Sequence, residues 1–188
     1  RALDAIAAAA ADRQIVILNE AHNHSRHRAF AAQVLRRLRP LGFDWFAAEA
    51  FMSRQPEPAP MIADYRAGEP FLHAYGYYTQ DPVFAETVRE AARLGYSLVD
   101  YEFRPDQHAP EGSDMDQQMA YREEAQAENL IANVLARNPN ARIFVYCGYS
   151  HAMESPTSYG EWFASRLKRK TGIDPLTIEQ SSNTPDLR

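Results

Sequence analysis

The hydrophobic pattern along the chain alternates between short apolar runs and stretches with helical spacing. Five apolar runs predict strands, at residues 14–18, 44–50, 97–102, 142–148 and 176–179. The first and fourth runs contain hardly any polar residue, which is typical of strands buried on both faces in the middle of a parallel sheet. Because helical patterns separate the runs, we expect a three-layer α/β domain with a mostly parallel sheet of about five strands flanked by helices.

Capping residues at the start and glycine or proline after the end predict the bounds of five helices. These helices lie at residues 3–11, 25–38, 82–94, 113–138 and 159–170. Ser25 is a predicted N-cap of the second helix. Asp81 followed by Pro82 is a favoured start for the third helix, since proline is well tolerated at the first helical position. Ser113 with Asp116 predicts a capping box at the start of the fourth.

The pattern breaks between residues 51 and 81, where the apolar periodicity is lost and prolines and tyrosines accumulate. A connection of about thirty residues is far longer than usual, and loops of this length commonly form lids or binding segments. We therefore expect a single α/β domain over residues 1–188, with a cap inserted at about residues 51–81 over the strand ends. Tyr75, Tyr77 and Tyr78 are the residues of this cap expected to contact substrate.

Composition narrows the function classes. The chain has 188 residues and a net charge of −5, which disfavours a nucleic-acid-binding surface. No apolar stretch approaches the roughly 18 residues of a transmembrane segment, and the single cysteine, Cys147, excludes an intrachain disulfide. We expect a soluble protein with a small-molecule substrate, in the cytoplasm or the cell envelope. The oligomeric state stays open, and so does the compartment, because a removed leader before Arg1 would not be visible.

Polar side chains follow three of the predicted strands. Glu20 and His22 follow the first, Glu49 ends the second, and His151 lies just past the fourth. Arg122 lies near the start of the long helix. Because parallel strands deliver their carboxyl ends to one edge of the sheet, we expect these five residues to converge in one general acid–base site. A histidine can take up a proton near neutral pH, and an arginine can stabilise a developing oxyanion.

Two further residues are expected to contact substrate. Glu123 lies on the apolar stripe of the long helix, where a carboxylate needs a partner, and His24 follows His22 closely. Each of these residues also has an ordinary structural interpretation, since a histidine at a strand end is often a hydrogen-bonded loop residue. Their combination, rather than any one of them, favours a site.

Four short motifs carry a resemblance to a known superfamily. They are NEAH at residues 19–22, FAAEAF around Glu49, YREEAQAEN at residues 121–129 and CGYSH at residues 147–151. Their order and spacing resemble the superfamily that joins erythromycin esterase, the haem-binding lipoprotein ChaN and the Tiki/TraB proteases. Asn19 stands where that superfamily usually has a glycine, and the short cap argues against a large macrolide substrate.

The resemblance implies several activities on one scaffold. The first is an esterase-like hydrolase in which His22 activates water, Glu20 and Glu49 orient it, and Arg122 and His151 hold the substrate carbonyl. The second is a metal-dependent hydrolase or protease with His22, Glu49 and His151 as ligands of a divalent metal, for which we expect at most weak binding. The third is a haem-binding protein with a tyrosine or histidine ligand. The fourth is a binding module with a degenerate site.

Overall fold

The computed structural model describes residues 1–52, 62–70, 75–158 and 160–182. Its sheet has five strands, all parallel to their neighbours, in the order β3-β2-β4-β1-β5. The strands are β1 (Ile15–Glu20), β2 (Trp45–Ala48), β3 (Ser97–Val99), β4 (Ile143–Gly148) and β5 (Leu176–Ile178). The predicted three-layer α/β fold with a parallel sheet is therefore confirmed.

Helices cover both faces of the sheet. They are α1 (Ala2–Ala10), α2 (Ser25–Leu38), α3 (Pro82–Arg93), α4 (Met115–Leu130) and α5 (Phe163–Thr171). The first three share one hydrophobic core with one face of the sheet, while α4 and α5 share a second core with the other face. A π-helical turn, Ile131–Leu135, continues α4. Among the described residues, no helix is both long and apolar enough to cross a membrane.

The side chains of β1 alternate between the two cores. Val16 and Leu18 belong to the core of α1–α3, whereas Ile15 and Ile17 belong to the core of α4 and α5. This period of two points the next side chain of the first series, Glu20, towards α2. The strand therefore delivers a carboxylate to the α2 side of the sheet edge.

The first strand is longer than the apolar run predicts. Pairing with β4 continues through Asn19 opposite Cys147 and Glu20 opposite Gly148, so two polar residues belong to the strand itself. The helix after β1, α2, and the helix after β4, α5, lie on opposite faces of the sheet. β1 and β4 are neighbours, and the chain leaves them towards opposite faces of the sheet. This arrangement opens a crevice at the carboxyl edge of the sheet, where open α/β sheets bind ligands.

Helix starts follow local hydrogen bonding, with two corrections to the prediction. At α3, Asp81 accepts hydrogen bonds from the backbone of Val83 and Phe84, as expected for an N-cap before Pro82. At α4 the capping box is formed by Asp114 and Gln117, whose side chains each accept from the backbone of the other, and not by Ser113 and Asp116. Ser25 is the first residue of α2 rather than its N-cap, which is His24.

The segment predicted as a cap lies partly outside the described residues, which exclude 53–61 and 71–74. The described parts contain two 3₁₀ turns, Ile62–Asp64 and Tyr77–Gln80. The backbone N–H of Met52 donates to the carbonyl of Tyr75. Gly76 has φ +135°, and a Cβ there would lie 1.8 Å from the carbonyl oxygen of Ala50. Residues 75–77 therefore run directly against the chain that leaves β2.

Candidate active site

The centre of the site is a histidine–carboxylate pair at the end of β1. Nδ1 of His22 lies 2.8 Å from Oε1 of Glu20, and the His22 side chain is 28% exposed while that of Glu20 is 5% exposed. A carboxylate beside Nδ1 favours the tautomer with the proton on Nδ1. The other ring nitrogen, Nε2, is then free to accept a proton.

Glu20 is held by two further donors from the same side of the sheet. Arg28, on α2, binds both carboxylate oxygens at 2.9 and 3.1 Å, and the hydroxyl of Tyr146 donates to Oε2 at 2.7 Å. Burial raises the pKa of Glu20, but the hydrogen bonds from His22, Arg28 and Tyr146 outweigh it, so the pKa lies below its ordinary value. Glu20 is therefore an ionised partner for His22 at neutral pH.

Aromatic rings fix the orientation of the His22 ring. Tyr78 stacks on it with centroids 4.8 Å apart, and Tyr149 makes a T-shaped contact at 5.0 Å. Gly148 leaves room for it, because a Cβ at that position would lie 2.5 Å from Cε1 and 2.6 Å from Nε2 of His22. The glycine at the end of β4 is thus a steric requirement of the histidine.

The second half of the site is built around Arg122, on α4. Its Nη2 donates to Oε1 of Glu49 at 2.7 Å, and its Nε and Nη2 both bind the carboxylate of Glu102. The backbone N–H of Gly148 donates to the other oxygen of Glu49 at 2.6 Å. Burial opposes the charge of Arg122, but the two carboxylates outweigh this effect and raise its pKa. Arg122 stays a cation fixed between two anions.

His151 lies behind this cluster and is 8% exposed. Its Nδ1 contacts Glu123 at 2.8 Å, and its Nε2 lies 3.3 Å from Glu49. Burial alone would lower the pKa of His151, but the charge of Glu49 and the hydrogen bond to Glu123 outweigh it and raise the pKa to about 10. Glu123 also accepts from the backbone N–H of Phe163 at 2.6 Å, which ties α4 to the start of α5.

The two halves face one cleft of about 240 Å³. Its walls are formed by acidic, aromatic and basic side chains together with a stretch of backbone at the ends of β2 and β4: Glu20, His22, Glu49, Ala50, Met52, Tyr77, Tyr78, Glu102, Arg122, Tyr146, Cys147 and Gly148. The cleft lies below the roughly 300–1,000 Å³ of pockets for drug-sized ligands, and this volume does not favour a group as large as haem.

The structure brings Glu20, His22, Glu49 and Arg122 together at the cleft, with His151 directly behind Glu49. Of the residues expected to contact substrate, Tyr77 and Tyr78 line the cleft.

The other three have different surroundings. Tyr75 is 4% exposed and packs on Tyr65, because it belongs to the hydrophobic core of α1–α3. Glu123 is 1% exposed, because it is the buried partner of His151. His24 packs against the ring of His27 at the start of α2. The walls of the cleft therefore include none of these three residues, for which contact with substrate was predicted.

Three residues of the site were missed by the sequence reasoning. Glu102 ends the third predicted strand just as Glu49 ends the second, so the rule that singled out Glu49 would have found it. Arg28 lies one turn before Ala31 on the buried stripe of α2, where an arginine signals an ion pair. Tyr146 is an inward residue of a buried strand, and its bond to Glu20 depends on strand order, which the sequence does not give.

The residues proposed as metal ligands do not fit that role. Among the described residues, no group of three or more histidine, cysteine or acidic side chains is arranged to hold a metal ion. The oxygens of Glu49 are occupied by Arg122 and the N–H of Gly148, and Nδ1 of His151 is occupied by Glu123. These contacts give an ion-pair network rather than a metal-binding set.

Comparisons with known proteins give the fold and no family. No protein-family description matches the chain, and no curated protein matches it. A solved structure described as bacterial protein toxins superposes with a TM-score of 0.63 and 16% identity, over 94% of this chain and 36% of that chain. A crystal structure of bacterial protein toxins gives 0.57 and 13% over the same shares.

A third solved structure, of the type III effector HopBA1, gives a TM-score of 0.54 and 15% identity, over 93% of this chain and 80% of the effector. The chain spans 36% of the length of the two toxin chains. Identities this low are evidence of a shared fold alone.

Proposed function

We propose that the protein is an esterase-like hydrolase of the superfamily that its four motifs resemble, with His22 as the general base. The observation that carries the proposal is the contact of His22 with the ionised, buried Glu20 at the wall of the cleft. This arrangement holds the imidazole in one tautomer and leaves Nε2 to accept a proton. The Asn19 departure from the family pattern does not disturb this pair, because the Asn19 amide contacts Tyr149 and Glu179 instead.

The reaction follows from the positions of the donors. Nε2 of His22 takes a proton from water as the water oxygen attacks the ester carbonyl, and the proton on Nδ1 stays directed at Glu20. The tetrahedral intermediate then collapses, the bond to the leaving oxygen breaks, and the imidazolium gives its proton to that oxygen. The products are a carboxylic acid and an alcohol, so atoms and protons balance.

Arg122 is the group best placed to stabilise the oxyanion. Within the described part of the chain, its contacts with carboxylates are made by Nε and Nη2, while Nη1 lies 3.4 Å from Nε2 of His151. Nη1 is therefore the nitrogen able to donate to a substrate oxygen. Glu49 and Glu102 fix the guanidinium, and His151 acts through Glu49 rather than touching substrate, which revises its expected role.

The test is hydrolysis of short-chain p-nitrophenyl esters by the purified protein. His22→Ala should lower kcat by about 10²–10⁴-fold, the usual contribution of a general base. His24→Ala is the matched control, because this second histidine packs on His27 and should change the rate little. Equal activity of the His22 variant and the wild type would reject the proposal.

Three measurements on the same sample separate this proposal from the metal-dependent and haem-binding alternatives. Elemental analysis and an absorption spectrum report bound metal and haem, and rates are measured with and without a chelator. The proposal predicts rates that do not change with the chelator. A stoichiometric metal whose removal abolishes hydrolysis would replace it with the metal-dependent alternative.

A further inference from the structure

We propose that Tyr149 is a positioning residue for His22 and that Asn19 holds Tyr149 in place. The inference rests on the proposed role of His22 as base. It gives a role to Asn19, where the first motif departs from the family pattern. The proposed reaction assigns no function to that residue. The inference also gives a role to an exposed tyrosine whose ring contacts the His22 ring.

Tyr149 has an unfavourable backbone conformation. Among the described residues, it is the non-glycine residue with positive φ, at 35°. Left-handed backbone is unfavourable for a bulky side chain and persists where the surrounding structure imposes it, often beside functional sites. Tyr149 is 46% exposed, so burial in a core does not account for the conformation.

The contact that the conformation permits is the one with His22. The Tyr149 and His22 rings are perpendicular, with centroids 5.0 Å apart. Tyr78 stacks on the same imidazole, so the two tyrosines restrict its rotation from two directions. A base must lie within a fraction of an ångström of its productive position, because small displacements can cost large factors in rate.

Asn19 stabilises this backbone conformation of Tyr149 through a hydrogen bond. The residue is fully buried at the end of β1, and its Nδ2 donates to the carbonyl of Tyr149 at 2.8 Å. The same amide is anchored on the other side, where its Oδ1 accepts from the backbone N–H of Gln180 at 2.8 Å. A glycine at position 19 could make neither hydrogen bond. The Asn19 amide therefore connects the segment after β5 to Tyr149, whose ring contacts His22.

The first test uses three variants of the two residues. Tyr149→Gly removes the ring but accommodates positive φ without strain, so its thermal stability should be equal to or above that of the wild type. Its kcat should fall about tenfold or more, with little change in KM. Tyr149→Phe restores the ring and should rescue kcat, whereas Asn19→Gly should lower kcat like Tyr149→Gly.

The double variant Asn19→Gly/Tyr149→Gly tests the link. If Asn19 acts through Tyr149, the double variant loses no more kcat than Tyr149→Gly alone. Additive losses, or full kcat in Tyr149→Gly, would overturn the proposal. If Asn19→Gly does not fold, the comparison of Tyr149→Gly with Tyr149→Phe still decides the role of the ring.

A second readout does not require activity. The rate at which diethyl pyrocarbonate modifies His22, mapped by mass spectrometry, should rise in Tyr149→Gly and stay unchanged in Tyr149→Phe. Modification of His24 in the same sample is the internal control. If no ester is hydrolysed but the His22 rate rises, the proposed reaction fails and the positioning contact stands; an unchanged His22 rate rejects the contact.

Discussion

Gly148 and His22 lie so close that any β-carbon at position 148 would come within 2.6 Å of Nε2. Gly148 has φ −84°, an ordinary conformation, so the glycine is required by the neighbouring ring and not by the backbone. Gly148 ends β4, the strand between β1 and β2. This strand thereby determines the position of His22, the proposed base.

Gly148→Ala should displace the imidazole and lower kcat by about 10²-fold. The backbone N–H that binds Glu49 is retained. A Cβ would also lie 3.1 Å from Oε2 of Glu49, but its closer contacts, at 2.5 and 2.6 Å, are with His22. Steady-state kinetics measure it, and far-ultraviolet circular dichroism checks that the fold persists. An alanine variant with wild-type kcat would show that the ring is free to move.

Glu20→Gln should lower kcat by about 10²-fold or more, because the amide no longer stabilises the imidazolium formed when His22 takes up a proton. Glu86→Gln is the matched control. It removes the same charge from an exposed position on α3, where Glu86 pairs with Arg93, and should leave kcat unchanged. Equal kcat in both variants would contradict the role given to Glu20.

Arg28→Met should lower the free energy of unfolding by about 3–5 kcal/mol, because it leaves Glu20 and Asp81 without their shared buried cation. Arg36→Met is its control on the same helix. Arg36 is 57% exposed and pairs with Glu90, so the loss there should be below about 1 kcal/mol. Urea unfolding of both variants measures the difference, and similar losses would remove the distinction between the two pairs.

His151→Gln should make stability less dependent on pH above neutrality. In the folded protein the pKa of His151 is raised from about 6.5 to about 10, so its contribution is complete below pH 6.5 and is lost as pH rises towards 10. The wild-type advantage in free energy of unfolding over this variant should therefore shrink between pH 6 and pH 10. Urea titrations across that range measure it, and a constant difference would show that His151 is not a buried cation.

Periodicity predicted the fold because the strands are apolar on both faces and the helices are apolar on one. It also pointed to Glu20, His22, Glu49 and Arg122, which all line the cleft, but it missed Glu102, which follows β3 and lines the same cleft. Arg28 and Tyr146 were missed, because their contacts with Glu20 depend on how α2 and β4 pack beside β1. Tyr75 and Glu123 were misplaced because both are buried against partners that spacing does not identify.

The central position of β4 determines when the site can assemble during folding. The bond between Tyr146 and Glu20 joins residues 126 positions apart, and β4 fills the gap between two strands made much earlier. Parallel pairings of this span form slowly, and strand edges that wait for a partner are prone to aggregation. On the ribosome, β1 and β2 stay unjoined until residue 148 has emerged, so His22 acquires its surroundings only after β4 has been made.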